Sequence, residues 1–219
     1  MKKTLFIALF TAALMGGQVF AAEVILTKLD GGHQTGPNSY SGMWTSGSGE
    51  AKDAVVTIFQ DNDGSNYSNY TVYGGWAAND SANNNKVTMT GGQVCAVYGG
   101  KAGDSGNATG NIVTMNGGEV GVEVYGGRTF SGDATENAVT VNDGYVGNRV
   151  YGGYVDEDGS ATGNTVTMTG GEVATDVYGG FVHGSGDATG NAVDMTGGEV
   201  GDDVYGGYVD TSGNATGNT

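Results

Sequence analysis

The chain has 219 residues, of which 44 are glycine, one is proline and one is cysteine, and it sets 24 acidic side chains against 8 basic ones for a formal net charge of −16. That acidity works against nucleic acid or anionic lipid as a partner, because a negative surface repels both. A single cysteine excludes a disulfide framework within the chain, and glycines that return at fixed places in a long period indicate regular structure rather than a low-complexity tail.

The chain opens with MKKTLFIALFTAALMGGQVFAAE. Lys2 and Lys3 form a charged start, Leu5 to Met15 an apolar run, and Val19-Phe20-Ala21 a small-x-small cleavage site, so residues 1–21 read as a Sec signal peptide cut after Ala21. The apolar run is shorter than the roughly 20 residues of a membrane-spanning helix. Cleavage would remove two lysines and no acid, leaving 6 − 24 = −18. Residues 22–71 follow no clear repeat. They hold two strand-like runs, EVILTKL (Glu23 to Leu29) and AVVTIFQ (Ala54 to Gln60), around a Gly/Ser/Asn-rich loop. An N-terminal cap that covers the first open edge of a repeat array is the expectation there.

From residue 72 to 219 the chain repeats itself. The segment ATGNTVTMTGGEVATDVYGG (161–180) returns as ATGNAVDMTGGEVGDDVYGG (188–207), with sixteen of twenty positions matched. The tyrosines of VYGG and its close variants (Tyr73, Tyr98, Tyr125, Tyr151, Tyr178 and Tyr205) step by 25, 27, 26, 27 and 27 residues. Within each unit a strict alternation comes first, as in Val166 and Met168 between Thr165, Thr167 and Thr169, which is the pattern of a strand with one buried face. The same apolar pair occurs as Val87/Met89, Val113/Met115, Val139/Val141 and Val193/Met195. Gly-Gly then predicts a bend, and a second apolar pair follows: Val94/Val97, Val120/Val124, Val146/Val150, Val173/Val177 and Val200/Val204. No helical spacing is present after the first segment. A propeller blade needs about 40 residues, and no six-residue subperiod marks a left-handed hexapeptide helix.

Four inward side chains per unit contribute on the order of 6–12 kcal/mol, while ordering the unit's backbone costs roughly 1–2 kcal/mol per residue. One unit cannot fold alone, but stacked units can, because like residues then sit over like residues at about 4.8 Å. The fold expected is therefore all-β: a parallel β-helix solenoid, right-handed, with coils of about 26–27 residues. The chain stops at GNATGNT, just before the next apolar pair falls due, so a fragment of a longer protein is expected.

Candidate sites are few. The tyrosines Tyr98, Tyr125, Tyr151, Tyr178 and Tyr205 would line up as a ladder, either a structural stack or a contact surface for sugars. Glu119, Glu172 and Glu199 share one column, and Glu123, Asp176 and Asp203 another that Arg149 interrupts. Such columns read first as solvated faces, with Ca²⁺ bridging between coils as the sharper alternative. Thr88/Thr90 and Thr167/Thr169, with Thr114/Asn116 and Thr140/Asn142 between them, form a threonine array of the kind that could order ice, which Asp194 breaks. His33 and His183 stand apart from other metal ligands. Cys95 aligns with Gly121, Gly147, Ala174 and Gly201 and reads as a small filler. No catalytic cluster and no bound cofactor are expected.

A Sec signal followed by units of the type GNTVTMTGGEVATDVYGG resembles the passenger regions of bacterial autotransporters and related surface adhesins. The resemblance, carried by residues 73–219, implies export to the cell surface, outer membrane or medium. It also implies a non-enzymatic stalk or adhesive surface that contacts glycans or proteins of host or neighbouring cells, and further repeats or a C-terminal translocator barrel beyond this chain. Among β-helices, polysaccharide lyases and glycosidases are the alternative class, and ice-binding solenoids a minor one.

Overall fold

The computed structural model describes residues 23–26, 34–36, 39–45, 49–58 and 67–219, so the expected signal peptide at 1–21, His33 and most of the loop around it lie outside the described residues. The described residues contain strands and no helix. Each coil has three sides. In one central coil they are a short strand, Ala134–Thr135, a long strand, Ala138–Val146, and a tyrosine strand, Val150–Val155. The next coil repeats them as Ala161–Thr162, Thr165–Val173 and Val177–Val182, each parallel to its predecessor: Ala134 pairs with Ala161, Val139 with Val166 and Tyr151 with Tyr178. The short strands build a 7-stranded parallel sheet, and the other two series join in a 15-stranded one. This is the parallel β-solenoid expected from the period.

The alternation in the sequence becomes the inside and outside of the coil. Val139 and Val141 are 1% and 0% exposed, as are their counterparts Val113 and Met115 or Val166 and Met168 at 0%, while the threonines between them face outward. Val146 and Val150 close the same core from the other two-residue set. The alanines of the short strands, with Val155 and Val182, pack a separate corner cluster.

Two expectations change. Apart from Gly91-Gly92, which bends between the strands Lys86–Met89 and Gln93–Ala102 as expected, the Gly-Gly pairs are not the corners. Gly117 and Gly118 lie inside the strand Ile112–Val120, at φ 148° and 94°, where the register shifts by a bulge. Gly126 and Gly127 lie inside the strand Val124–Thr129. The chain turns instead between Val120 and Val124, between Thr129 and Ala134, and at the residue before the asparagine of the GN motif. That residue is left-handed throughout, with φ 63–65° at Gly110, Gly163, Gly190 and Gly217. It is Asn84 and Glu136 in two other coils, at φ 55° and 54°, and Asp53, which precedes Ala54 in an earlier coil, takes the same conformation at φ 56°.

The second difference concerns residues 22–71. The strands Glu23–Leu26 and Val55–Ile58 pair in parallel with each other and then with Lys86–Met89, in the register of the later coils. Ala51–Lys52 pairs with Ala82–Asn83, and Ser39–Thr45 with Tyr67–Ala77. The coil geometry thus starts earlier in the chain than its sequence signature, and the expected boundary at residue 71/72 falls inside a strand. The turn here is looser (Ala51 to Ala82, 82 − 51 = 31 residues), which hides the period.

Candidate functional site

The tyrosine strands owe their position to a buried column of amides. The asparagine of each GN motif points into the coil. The Nδ2 of Asn111 donates to Asn137 Oδ1 at 2.9 Å and to the carbonyl of Ala82 at 2.8 Å, and Asn137 Oδ1 also accepts from the Asn111 backbone N–H at 3.0 Å. The same contact joins Asn85 to Asn111, Asn137 to Asn164, Asn164 to Asn191 and Asn191 to Asn218. Asn85, Asn111, Asn137, Asn164 and Asn191 are all 0% exposed. A buried amide is tolerated because its donors and acceptor are all met. Sequence reasoning missed this column, although its signal was present as an asparagine invariant in every unit.

The amides in turn explain the second glycine of VYGG. A Cβ at Gly100, Gly127, Gly153 or Gly180 would overlap the side chain of Asn111, Asn137, Asn164 or Asn191. With both glycines turned inward, the residues on either side of them, the tyrosine and the residue three positions on, both project from the outer face.

The first outer column is a stack of rings. Tyr73, Tyr98, Tyr125, Tyr151, Tyr178 and Tyr205 follow one another with centroid spacings of 4.9, 4.6, 5.0, 5.2 and 5.2 Å. Their planes differ by 7–20°. Tyr98, Tyr125, Tyr151 and Tyr178 are only 3–8% exposed, and Tyr205 is half-buried. The five tyrosines expected as a contact ladder thus come together, with their faces taken by one another.

Solvent reaches the second outer column instead: Trp76, Lys101, Arg128, Tyr154, Phe181 and Tyr208, paired in register from coil to coil. Its residue types change at every step, so no sequence identity advertises it. Tyr154 and Phe181 stack on each other at 5.1 Å, and each meets the tyrosine column edge-on. Lys101 Nζ lies 5.4 Å from the centre of Trp76 and 5.7 Å from those of Tyr73 and Tyr98. Arg128 sits over Tyr125 and Tyr154 and forks onto Asp156, with Nε–Oδ2 at 2.9 Å and Nη2–Oδ1 at 2.8 Å. Cations above ring faces and a bidentate pair fix this strip in place.

The strip's titration follows from its burial. Desolvation raises the phenols of Tyr73, Tyr98, Tyr125 and Tyr151 above their ordinary range, and pushes Tyr154 and Tyr178 up to about 12. Burial, then the neighbouring Arg128, holds the Lys101 ammonium below the usual lysine range. Tyr125 Oη donates to Glu123 Oε2 at 2.6 Å, and Tyr205 Oη to Asp203 Oδ2 at 3.0 Å.

The acidic columns are less uniform than the sequence suggests. Tyr145 stands between Glu119 and Glu172, and only Glu172 and Glu199 are neighbours. In the other column Arg149 Nε donates to Asp176 Oδ2 at 2.8 Å, so a cation relieves the repulsion. Among the described residues no three carboxylate, imidazole or thiol groups gather as a metal site. His183 approaches Asp210, Nε2 to Oδ2 3.6 Å, and the carbonyl of Asp156. Cys95 is half-buried, with its carbonyl accepting from Val122 N–H in the next coil at 2.8 Å.

On the long strands, Thr57, Thr88, Thr114, Thr140 and Thr167 form one unbroken outward column that ends at Asp194. The second column of the expected array bonds to itself: Asn142 Nδ2 donates to Asn116 Oδ1, and Thr169 Oγ1 to Asn142 Oδ1, both at 2.8 Å.

Set against protein-family models, curated proteins and solved structures, the chain matches none of them. By its own geometry it belongs to the class of parallel β-solenoids.

Proposed function

We propose that this chain is an exported surface solenoid whose task is display and contact rather than catalysis. The observation that carries the reading is the shape of its outer features. Each outward position recurs once per coil in register, so the aromatic and cationic groups form a strip along the stack instead of converging on one point. A strip suits many weak contacts with an extended partner, such as a surface glycan or protein of another cell. An enzyme needs a few groups brought to one bond. The Lys-Lys, apolar run and Val19-Phe20-Ala21 site at the start support export.

The test has two parts. Intact Gram-negative cells expressing the chain are treated with protease, and the purified chain is then assayed on glycan and host-matrix arrays. Surface accessibility with retention on one class of array, weakened by Tyr154→Ala or Phe181→Ala, supports the proposal. A chain retained inside the cell, or one that cleaves polysaccharide through a single carboxylate, overturns it.

A further inference from the structure

We propose that the tyrosine column is a relay for single oxidising equivalents, carrying a radical along the stack of coils and away from the place where oxidation begins. Three features of the column carry this. The first is overlap: six phenol rings in unbroken sequence have centroid spacings of 4.6–5.2 Å and nearly parallel planes. The π-systems of adjacent rings are therefore in contact at every step. The second is shielding. Tyr73, Tyr98, Tyr125, Tyr151 and Tyr178 are at most 8% exposed, so water and solutes reach them poorly. The third is proton management. An oxidised phenol is a strong acid, and Tyr125 and Tyr205 already donate to the carboxylates Glu123 and Asp203 at 2.6 and 3.0 Å. The proton can leave along a hydrogen bond that exists beforehand.

The steps balance as follows. A one-electron oxidant, a metal-centred complex or a small radical, takes one electron from the stack. At Tyr125 the O–H bond breaks and the proton passes to Glu123, leaving a neutral tyrosyl radical and a carboxylic acid. When an electron moves from Tyr205 through Tyr178 and Tyr151 to Tyr125, the proton on Glu123 returns to the Tyr125 oxygen. At the same time Tyr205 gives its proton to Asp203. One electron and one proton are restored at Tyr125, and one of each is lost at Tyr205. At one end of the described column Trp76 stacks on Tyr73 at 5.2 Å, and at the other Tyr205 meets Tyr208 edge-on at 5.2 Å.

Cys95 allows a direct test, because the chain's one cysteine lies in the strand Gln93–Ala102, which carries Tyr98 and pairs in parallel with the strand of Tyr73 and Trp76. A ruthenium photo-oxidant attached to Cys95 is flashed in the presence of an electron acceptor and a spin trap, and trap adducts are located by mass spectrometry. The expected result is adduct at Tyr205 or Tyr208, at a yield independent of protein concentration. Tyr151→Phe keeps the ring but removes the phenol, and should reduce the far-end adduct to the level of unlabelled chain while adduct at the partly exposed Trp76 rises. Tyr125→Phe should do the same to the far end. Tyr145→Phe, outside the column, should change nothing. Absence of far-end adduct in the unaltered chain overturns the proposal. So does a far-end yield that survives both ladder substitutions in chains whose circular dichroism is unchanged, or one that falls equally with Tyr145→Phe.

Discussion

Replacing Asn137 by alanine tests the idea that the amide column holds the coils together. Asn137 gives two hydrogen bonds, to Asn164 Oδ1 at 2.9 Å and to the Ala108 carbonyl at 2.8 Å, and takes two from Asn111, at 3.0 and 2.9 Å. Some partners are served otherwise: Asn164 Oδ1 keeps the backbone N–H of residue 137 at 3.0 Å, and Asn111 Nδ2 keeps the Ala82 carbonyl at 2.8 Å. Two donors do not: the Asn111 backbone N–H and one Nδ2 hydrogen of the same residue, which is 0% exposed. At about 1–3 kcal/mol for each orphaned buried group, the loss is about 2–6 kcal/mol, against a total of about 5–15 kcal/mol for a typical domain. The control is Asn142→Ala, which removes two bonds on the exposed face, where water replaces them; its cost should stay within about 0.5 kcal/mol. Urea unfolding followed by far-ultraviolet circular dichroism measures both. Equal costs for the two substitutions would refute the reasoning, since water can replace the bonds of Asn142 but cannot reach those of Asn137.

Three other outcomes are expected. Gly127→Ala places a methyl group against the Asn137 amide and should lower stability by about 3 kcal/mol or prevent folding. Gly121→Ala, whose new carbon would lie 3.6 Å from the Val94 carbonyl, should be neutral within about 0.5 kcal/mol in the same denaturation assay. Glu136→Gly relieves a left-handed residue at φ 54°. The relief of about 1–2 kcal/mol, less about 0.5–1 kcal/mol of added chain entropy, should leave a gain on the order of 0.5–1 kcal/mol, visible as a raised Tm. Alkaline pH should unfold the chain cooperatively. Below about pH 10 the phenols are protonated in both states and stability is unaffected. From there towards 12 the unfolded tyrosines ionise while Tyr154 and Tyr178 resist, so stability falls as pH rises. Tyrosinate absorbance should therefore rise together with the loss of the β-sheet signal, and tyrosines that ionised fully while the sheet signal persisted would contradict the burial argument.

The period and the alternation of Val113 and Met115 with threonine made the coil legible, because a residue buried against its own copy must recur in every unit. Four things were not legible, each for a physical reason. Asn137 looks like any turn asparagine, and only pairing with its own neighbours tells a buried amide from an exposed one. Gly126-Gly127 reads as a bend by local propensity, yet both are glycine because a Cβ at Gly126 would meet the Gly152 carbonyl of the next coil and one at Gly127 the Asn137 side chain. The strip of Trp76, Lys101, Arg128, Tyr154, Phe181 and Tyr208 changes residue type at every step, since the demand there is for a broad side chain over the tyrosine stack, which a ring or a long cation meets equally well. The early coils at 23–58 escaped notice because a longer loop breaks the period while leaving the pairing intact.

The amide column has one more consequence. From Asn85 to Asn191 each Nδ2 donates to the Oδ1 of the following coil, and from Asn111 to Asn218 each Oδ1 receives from the preceding one, so each unit hands its successor the same interface that it received. Duplicating or deleting one whole unit of 26–27 residues would lengthen or shorten the rod by a single rung and leave every remaining contact as it was. Length in such a molecule is an evolutionary variable separate from foldability: recombination between near-identical units can tune how far the strip extends without a new core having to be invented.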